Sequence, residues 1–140
     1  MNQTIISRGY PRTLLKEFKY WVVLLRPTQI TAGTLVLAIK SDVSNFGELS
    51  AEEWAEFAEV SAFSEHITAK VFGAEKYNYA AFMMKDPNPH FHFVPRYSRP
   101  VEVAGAKMTD IDWPLKTQMQ VAEISDETFD AIMSELKGAL

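Results

Sequence analysis

One segment constrains the fold more than any other. Ser50-Ala51-Glu52-Glu53 is a capping box, in which the Ser hydroxyl and a Glu carboxylate satisfy amides that a helix start leaves unpaired. Trp54, Phe57, Ala58, Val60, Phe63 and Ile67 then recur at helical spacing, and Gly73 is a fitting stop. Glu52, Glu56, Glu59 and Glu65 lie mostly opposite, which predicts a solvated outer face. So wide an apolar stripe must be covered by another layer of structure.

That layer reads as a sheet. Residues 20–25 are rich in aromatic and β-branched side chains and end at Arg26-Pro27, where proline removes a ladder donor. Residues 34–39 form a nearly continuous apolar run entered through Gly33, the pattern of a strand buried on both faces. Residues 78–84 and 90–96 read as two more strands, separated by the turn Asp86-Pro87-Asn88-Pro89. Residues 101–108 read as a fifth. A final helix opens at Ser125 or Asp126, with Phe129, Ile132, Met133 and Leu136 on one face, and residues 11–19 read as a short helix through Leu14, Leu15 and Phe18. The expected class is α+β: a mainly antiparallel sheet of about five strands, one long helix and a C-terminal helix. With 140 residues, the chain fits one domain spanning residues 1–140.

Composition excludes several function classes. There is no cysteine, so disulfides, thiolate metal sites and a thiol nucleophile are absent. A net charge of −4 argues against general attraction to a nucleic-acid polymer. No apolar run is long enough to span a bilayer, and the N-terminal residues lack a secretory pattern, so the expected compartment is the cytoplasm.

The chemistry concentrates in Pro89-His90-Phe91-His92-Phe93-Val94-Pro95-Arg96. Strand alternation places Asn88, His90, His92 and Val94 toward one side, with Phe91 and Phe93 directed into the core. The result is an amide and two imidazoles in a row, on a backing of aromatic side chains that fixes them. An imidazole attacks an electrophilic phosphorus when one ring nitrogen is unprotonated and the other donates to a fixed acceptor. A second imidazole nearby can stabilise charge developing on a phosphoryl oxygen.

Residues 88–96 resemble the motif of the histidine-triad family, three histidines alternating with apolar residues and often followed by Pro-Arg. Trp21-Val22-Val23-Leu24-Leu25-Arg26-Pro27 through Gly33-Thr34-Leu35-Val36-Leu37 is similar to that family's nucleotide-binding strands. The resemblance implies a small α+β homodimer. It also implies hydrolysis or transfer of a nucleoside monophosphate through a covalent nucleotidyl-histidine, with a nucleotide or dinucleoside polyphosphate as partner and no built-in cofactor or metal. The family's middle histidine aligns with His90 as nucleophile, and its third with His92. Its first histidine is Asn88 here, the loop before the motif is the shorter Lys85-Asp86-Pro87, and Thr34 and Arg26 replace a histidine and a ribose contact.

The candidate catalytic residues are therefore His90, His92 and Asn88, and the candidate substrate contacts are Arg26, Gln29 and Arg96. Tyr77, Tyr79 and Trp113 are candidates for stacking on a base. Two other functions fit the residues. One is a nucleotide-binding module with little turnover, because Asn88 cannot carry a proton. The other is a metal-dependent enzyme using His90 and His92, with Asp86 or His66 as third ligand.

Overall fold

The computed structural model describes residues 1–140. In chain order its elements are α1 (Gln3–Ser7), β1 (Leu14–Glu17), β2 (Trp21–Leu25), β3 (Leu35–Ile39) and α2 (Ala51–Phe72). These are followed by β4 (Lys76–Ala80), β5 (His90–Arg96), β6 (Val101–Val103), β7 (Ala106–Met108) and α3 (Asp126–Gly138). The first five strands form one antiparallel sheet in the order β1-β2-β3-β5-β4, and β6 and β7 pair separately as a hairpin. The α+β architecture expected from the sequence is the one observed.

The long helix starts and stops where its capping residues dictate. Ser50 accepts from the Glu53 amide while the Glu53 carboxylate accepts from the Ser50 amide. Gly73 ends the helix at φ 76°, a left-handed conformation that favours glycine. The helix covers the sheet face formed by Trp21, Val23, Leu25, Leu35, Leu37, Ile39 and Phe93, which belong to a buried cluster of 21 residues. Phe129, Ile132, Met133 and Leu136 of α3 join the same cluster. Trp21 is wholly buried and its indole N–H donates to the Glu53 carbonyl at 2.7 Å, tying β2 to the first turn of α2. Truncating such a side chain to alanine costs about 3–5 kcal/mol.

Four readings need correction. Residues 11–19 are not a helix: Leu14 pairs with Leu24, and a register break between Leu14 and Lys16 disturbs the strand alternation of β1. The 101–108 segment is a hairpin, because Ala104 and Gly105 turn the chain at φ 50° and 81°. The strand expected at 78–84 runs from Lys76 to Ala80, so residues 81–88 are loop. The acidic face of α2 is only partly solvated. The Glu56 carboxylate accepts from the amides of Lys19, Tyr20 and Trp21, and Glu65 accepts from the Tyr79 hydroxyl.

The opposite sheet face positions the histidines. Its apolar part is small: Val22, Leu24, Val36 and Ala38 pack under Ile5 of α1. His90 lies opposite Ala38 and His92 opposite Val36, so both histidines continue this face beside α1. One sheet face thus packs under α2, and the other, which carries the two histidines, packs under α1.

Candidate active site

His90 opens β5 and is almost completely buried, as is Asn88 before it. The Nδ1 atom of His90 lies 2.7 Å from the Asn88 main-chain carbonyl. A carbonyl oxygen only accepts, so Nδ1 carries the proton and Nε2 holds a free lone pair. Burial, and then the nearby charge of Arg8, lowers the His90 pKa below its ordinary value despite that hydrogen bond. The ring is therefore neutral at physiological pH, the state a nucleophile requires.

His92 stands edge-on to His90, with ring centroids 5.2 Å apart. Burial first, then Arg8, Arg26 and His90, push its pKa down to about 3. Its Nδ1 is buried without a hydrogen-bond partner. Both histidines line a cavity of 360 Å³ whose other walls come from Ser7 and Arg8 and from the loop residues Phe82 to Asp86. The volume falls near the lower end of the range of about 300–1,000 Å³ typical of small-molecule sites.

Asn88 is tied down on every side, but not through its side chain to His90. Its Oδ1 accepts from the amide and hydroxyl of Thr4 at 3.2 and 3.0 Å. Its Nδ2 donates to the Val43 carbonyl at 2.8 Å and to Asp42 at 3.3 Å. The amide thus locks the segment whose carbonyl holds the imidazole, and the contact with His90 is made by the main chain.

The expected substrate contacts separate. Arg26 follows β2 on the histidine face; its charge reaches His92, and its Nε and Nη1 are buried without partners. It is not among the residues that line the cavity. Gln29 is fully buried, and its amide serves the β2–β3 connection. Its Nε2 donates to the carbonyls of Arg26 and Thr34, and its Oε1 accepts from the amides of Gly33 and Thr34. No capacity is left for a ligand. The turn also requires Gly33, which has φ 86° and would place a Cβ 3.2 Å from the Phe72 ring. Arg96 is a structural residue as well: it makes a two-pronged ion pair with Asp110 at 2.7 and 2.9 Å and donates to Asn78 at 2.7 Å.

Tyr77 and Tyr79 pack on Phe93 and line a second hollow, of 620 Å³, that shares Phe82 with the histidine cavity. Trp113 borders a separate hollow beside Arg99 and Asp110. His66 is exposed on α2, across the sheet from His90, and no three His, Asp or Glu side chains converge as a metal site would need. The sequence reading missed Arg8. Nothing in the sequence around it signals the cavity, because α1 and β5 meet only in the folded chain.

No protein-family model matches this chain, and no curated protein matches it in sequence. Solved structures do match. A hypothetical histidine triad nucleotide-binding protein from Sulfolobus tokodaii superimposes with a TM-score of 0.71 at 16% identity, over 97% of this chain and 88% of that one. The chain has the histidine-triad fold. A histidine triad protein from Marinobacter aquaeolei gives 0.69 at 21% identity, over 100% and 94% of the two chains. The diadenosine triphosphate hydrolase of Plasmodium falciparum gives 0.67 at 14% identity, over 92% and 76%. In this fold β5, with its two histidines, lies between β3 and β4. No helix of the chain is long and apolar enough to cross a membrane.

Proposed function

We propose that the chain is a histidine-triad nucleotidyl hydrolase or transferase of the cytoplasm that cleaves a phosphoanhydride or phosphoramidate of a nucleotide, with His90 as nucleophile. The observation that carries this reading is the hydrogen bond from His90 Nδ1 to the Asn88 carbonyl, which leaves a neutral Nε2 for attack beside a cavity. Nε2 forms a bond to the α-phosphorus as the bond to the bridging oxygen or nitrogen breaks. The leaving group keeps that electron pair and takes a proton from solvent. His90 then bears the nucleotidyl group on Nε2 and a proton on Nδ1, a cation that the Asn88 carbonyl stabilises. Water attacks next, the N–P bond breaks, its electron pair returns to Nε2, and the water's surplus proton goes to solvent.

His92 is neutral and still has one N–H to donate to a phosphoryl oxygen, while the Arg26 charge behind it favours an anion. Asn88 is a positioning residue. The chain works as a pair with a second copy through β4, an edge strand that has β5 on one side only.

The test is a screen of adenine and guanine dinucleoside polyphosphates and nucleotide phosphoramidates for release of a nucleoside monophosphate. Release by the wild type, lost in His90→Ala, is expected. Binding of AMP without turnover of any of these compounds would favour the binding-module reading, which rests on Asn88 at the family's first histidine position.

A further inference from the structure

The cavity holds more positive charge than transfer at one phosphorus requires. Arg8 and Lys85 both line it, and Asp86 is the one carboxylate in its wall. Arg8 caps the C-terminal end of α1, and its Nη2 lies 2.9 Å from Asp86, whose other oxygen accepts from the Ser7 hydroxyl at 2.7 Å. Its Nε is buried with no partner at all. Arg26, also left with unpartnered nitrogens, adds a further charge from behind His92. Burial, and then the repulsion of Arg8, pull the Arg26 guanidinium below its ordinary pKa. In a chain of net charge −4, this one cavity is thus short of anions.

The α-phosphate in the proposed reaction is met by His90 and His92, with Arg26 behind. Beyond the effect of the Arg8 charge on the two histidines, Arg8 and Lys85 take no part in that step, and they lie in the part of the cavity toward α1 and the Phe82–Asp86 loop. We infer that Arg8, with Lys85, forms a subsite for the distal phosphates of a polyphosphate leaving group. A phosphate chain adds roughly one negative charge and several acceptor oxygens for each unit beyond the first, which suits a guanidinium with idle donors. An amide-linked or uncharged leaving group leaves those donors unmatched. Asp86 holds Arg8 in place and competes with the ligand for it. The inference deepens the nucleotidyl-transfer reading and rests on it for the position of the α-phosphate.

The test uses calorimetric binding of inorganic tripolyphosphate and of AMP to the full chain, with Arg8→Gln and Asp86→Asn as variants. Arg8→Gln is expected to weaken tripolyphosphate about 10- to 100-fold, the range for losing a charged hydrogen-bond partner, and to change AMP binding less than about threefold. Asp86→Asn releases Arg8 from its internal partner and is expected to tighten tripolyphosphate, an effect that a merely structural pair does not produce. Unchanged tripolyphosphate binding in Arg8→Gln, or equal losses for both ligands, would overturn the subsite. Arg8-dependent tripolyphosphate binding in a protein that hydrolyses no nucleotide would support the subsite and defeat the catalytic reading. Hydrolysis with equal kcat/KM for dinucleoside polyphosphates and phosphoramidates would uphold the catalytic reading and defeat the subsite.

Discussion

The imidazole of His90 and the main-chain carbonyl of Asn88 are joined by a 2.7 Å hydrogen bond, although the two residues are only two apart in sequence. The contact fixes the tautomer, and its acceptor belongs to the backbone. A residue of any type at position 88 has a carbonyl. What the asparagine contributes is the anchoring of that carbonyl by Thr4, Val43 and Asp42. The identity of residue 88 therefore matters through rigidity rather than through proton transfer.

Asn88→Ala is accordingly expected to lower turnover roughly 10- to 100-fold, as loss of an orienting group does. It also leaves buried donors and acceptors unpaired, at about 1–3 kcal/mol of stability. Asn88→His, which restores the residue of the family motif, is expected to lower both stability and rate, because an imidazole cannot replace the amide's four hydrogen bonds. Thermal melts together with steady-state rates check both variants, and a rate increase in Asn88→His contradicts this assignment.

Acid sensitivity follows from the lowered histidine pKa values. In the unfolded chain an imidazole titrates near 6.5, whereas folded His92 does so at about 3. Between these values the unfolded state binds more protons, so stability falls as pH falls through this window. His90 shifts in the same direction. His92→Gln removes one such group, and its melting temperature is expected to fall less than that of the wild type between pH 7.5 and 5. Melting curves across that interval, above most carboxylate titration, check the difference. A wild-type profile matching that of His92→Gln contradicts it.

The Arg96–Asp110 pair is buried on both sides, with each side chain 3% exposed. Removing one partner strands the other charge, and Asp110→Ala is expected to destabilise the fold by about 3–5 kcal/mol. KM for a nucleotide substrate should stay within about twofold, because the pair faces no cavity shared with His90. Denaturant unfolding and steady-state kinetics on the folded variant separate the two effects. A large rise in KM would return Arg96 to the substrate contacts.

Pairing through the edge strand β4 predicts a particle of about twice 15.9 kDa at micromolar concentration. Light scattering measures it directly, and a monomer at concentrations well above micromolar contradicts the edge-pairing proposal.

The elements legible in the sequence are those whose signals are local. The Ser50 capping box, the Gly73 stop, the apolar run of β3 and the alternation around His90 each carry their cause in a few adjacent residues. The unread parts depend on residues far apart. Leu14 and Leu15 fit a helical stripe, yet each packs against a different layer once β1 pairs with β2 at a register break. The five residues of α1 are too few to show periodicity, and they hold together through Asn2 and the burial of Ile5. The site divided in the same way. His90 and His92 announce themselves by spacing, whereas Arg8 enters the cavity only because α1 docks on the sheet face that carries the histidines. Gln29 and Arg96 looked available because the sequence does not show that turn amides and Asp110 already occupy them.

The most direct test of the central claim is to trap the covalent intermediate on His90. The wild type is mixed with a slowly hydrolysed adenine phosphoramidate, quenched in alkali, where phosphohistidine-type bonds survive, and digested for mass mapping. Covalent catalysis by a free His90 Nε2 predicts one adenylyl group on the peptide containing His90, absent from His90→Ala, whose turnover falls about a thousand-fold or more. Rapid release of AMP with no adduct at His90, or with the adduct intact in His90→Ala, would contradict the assignment of His90 as the nucleophile.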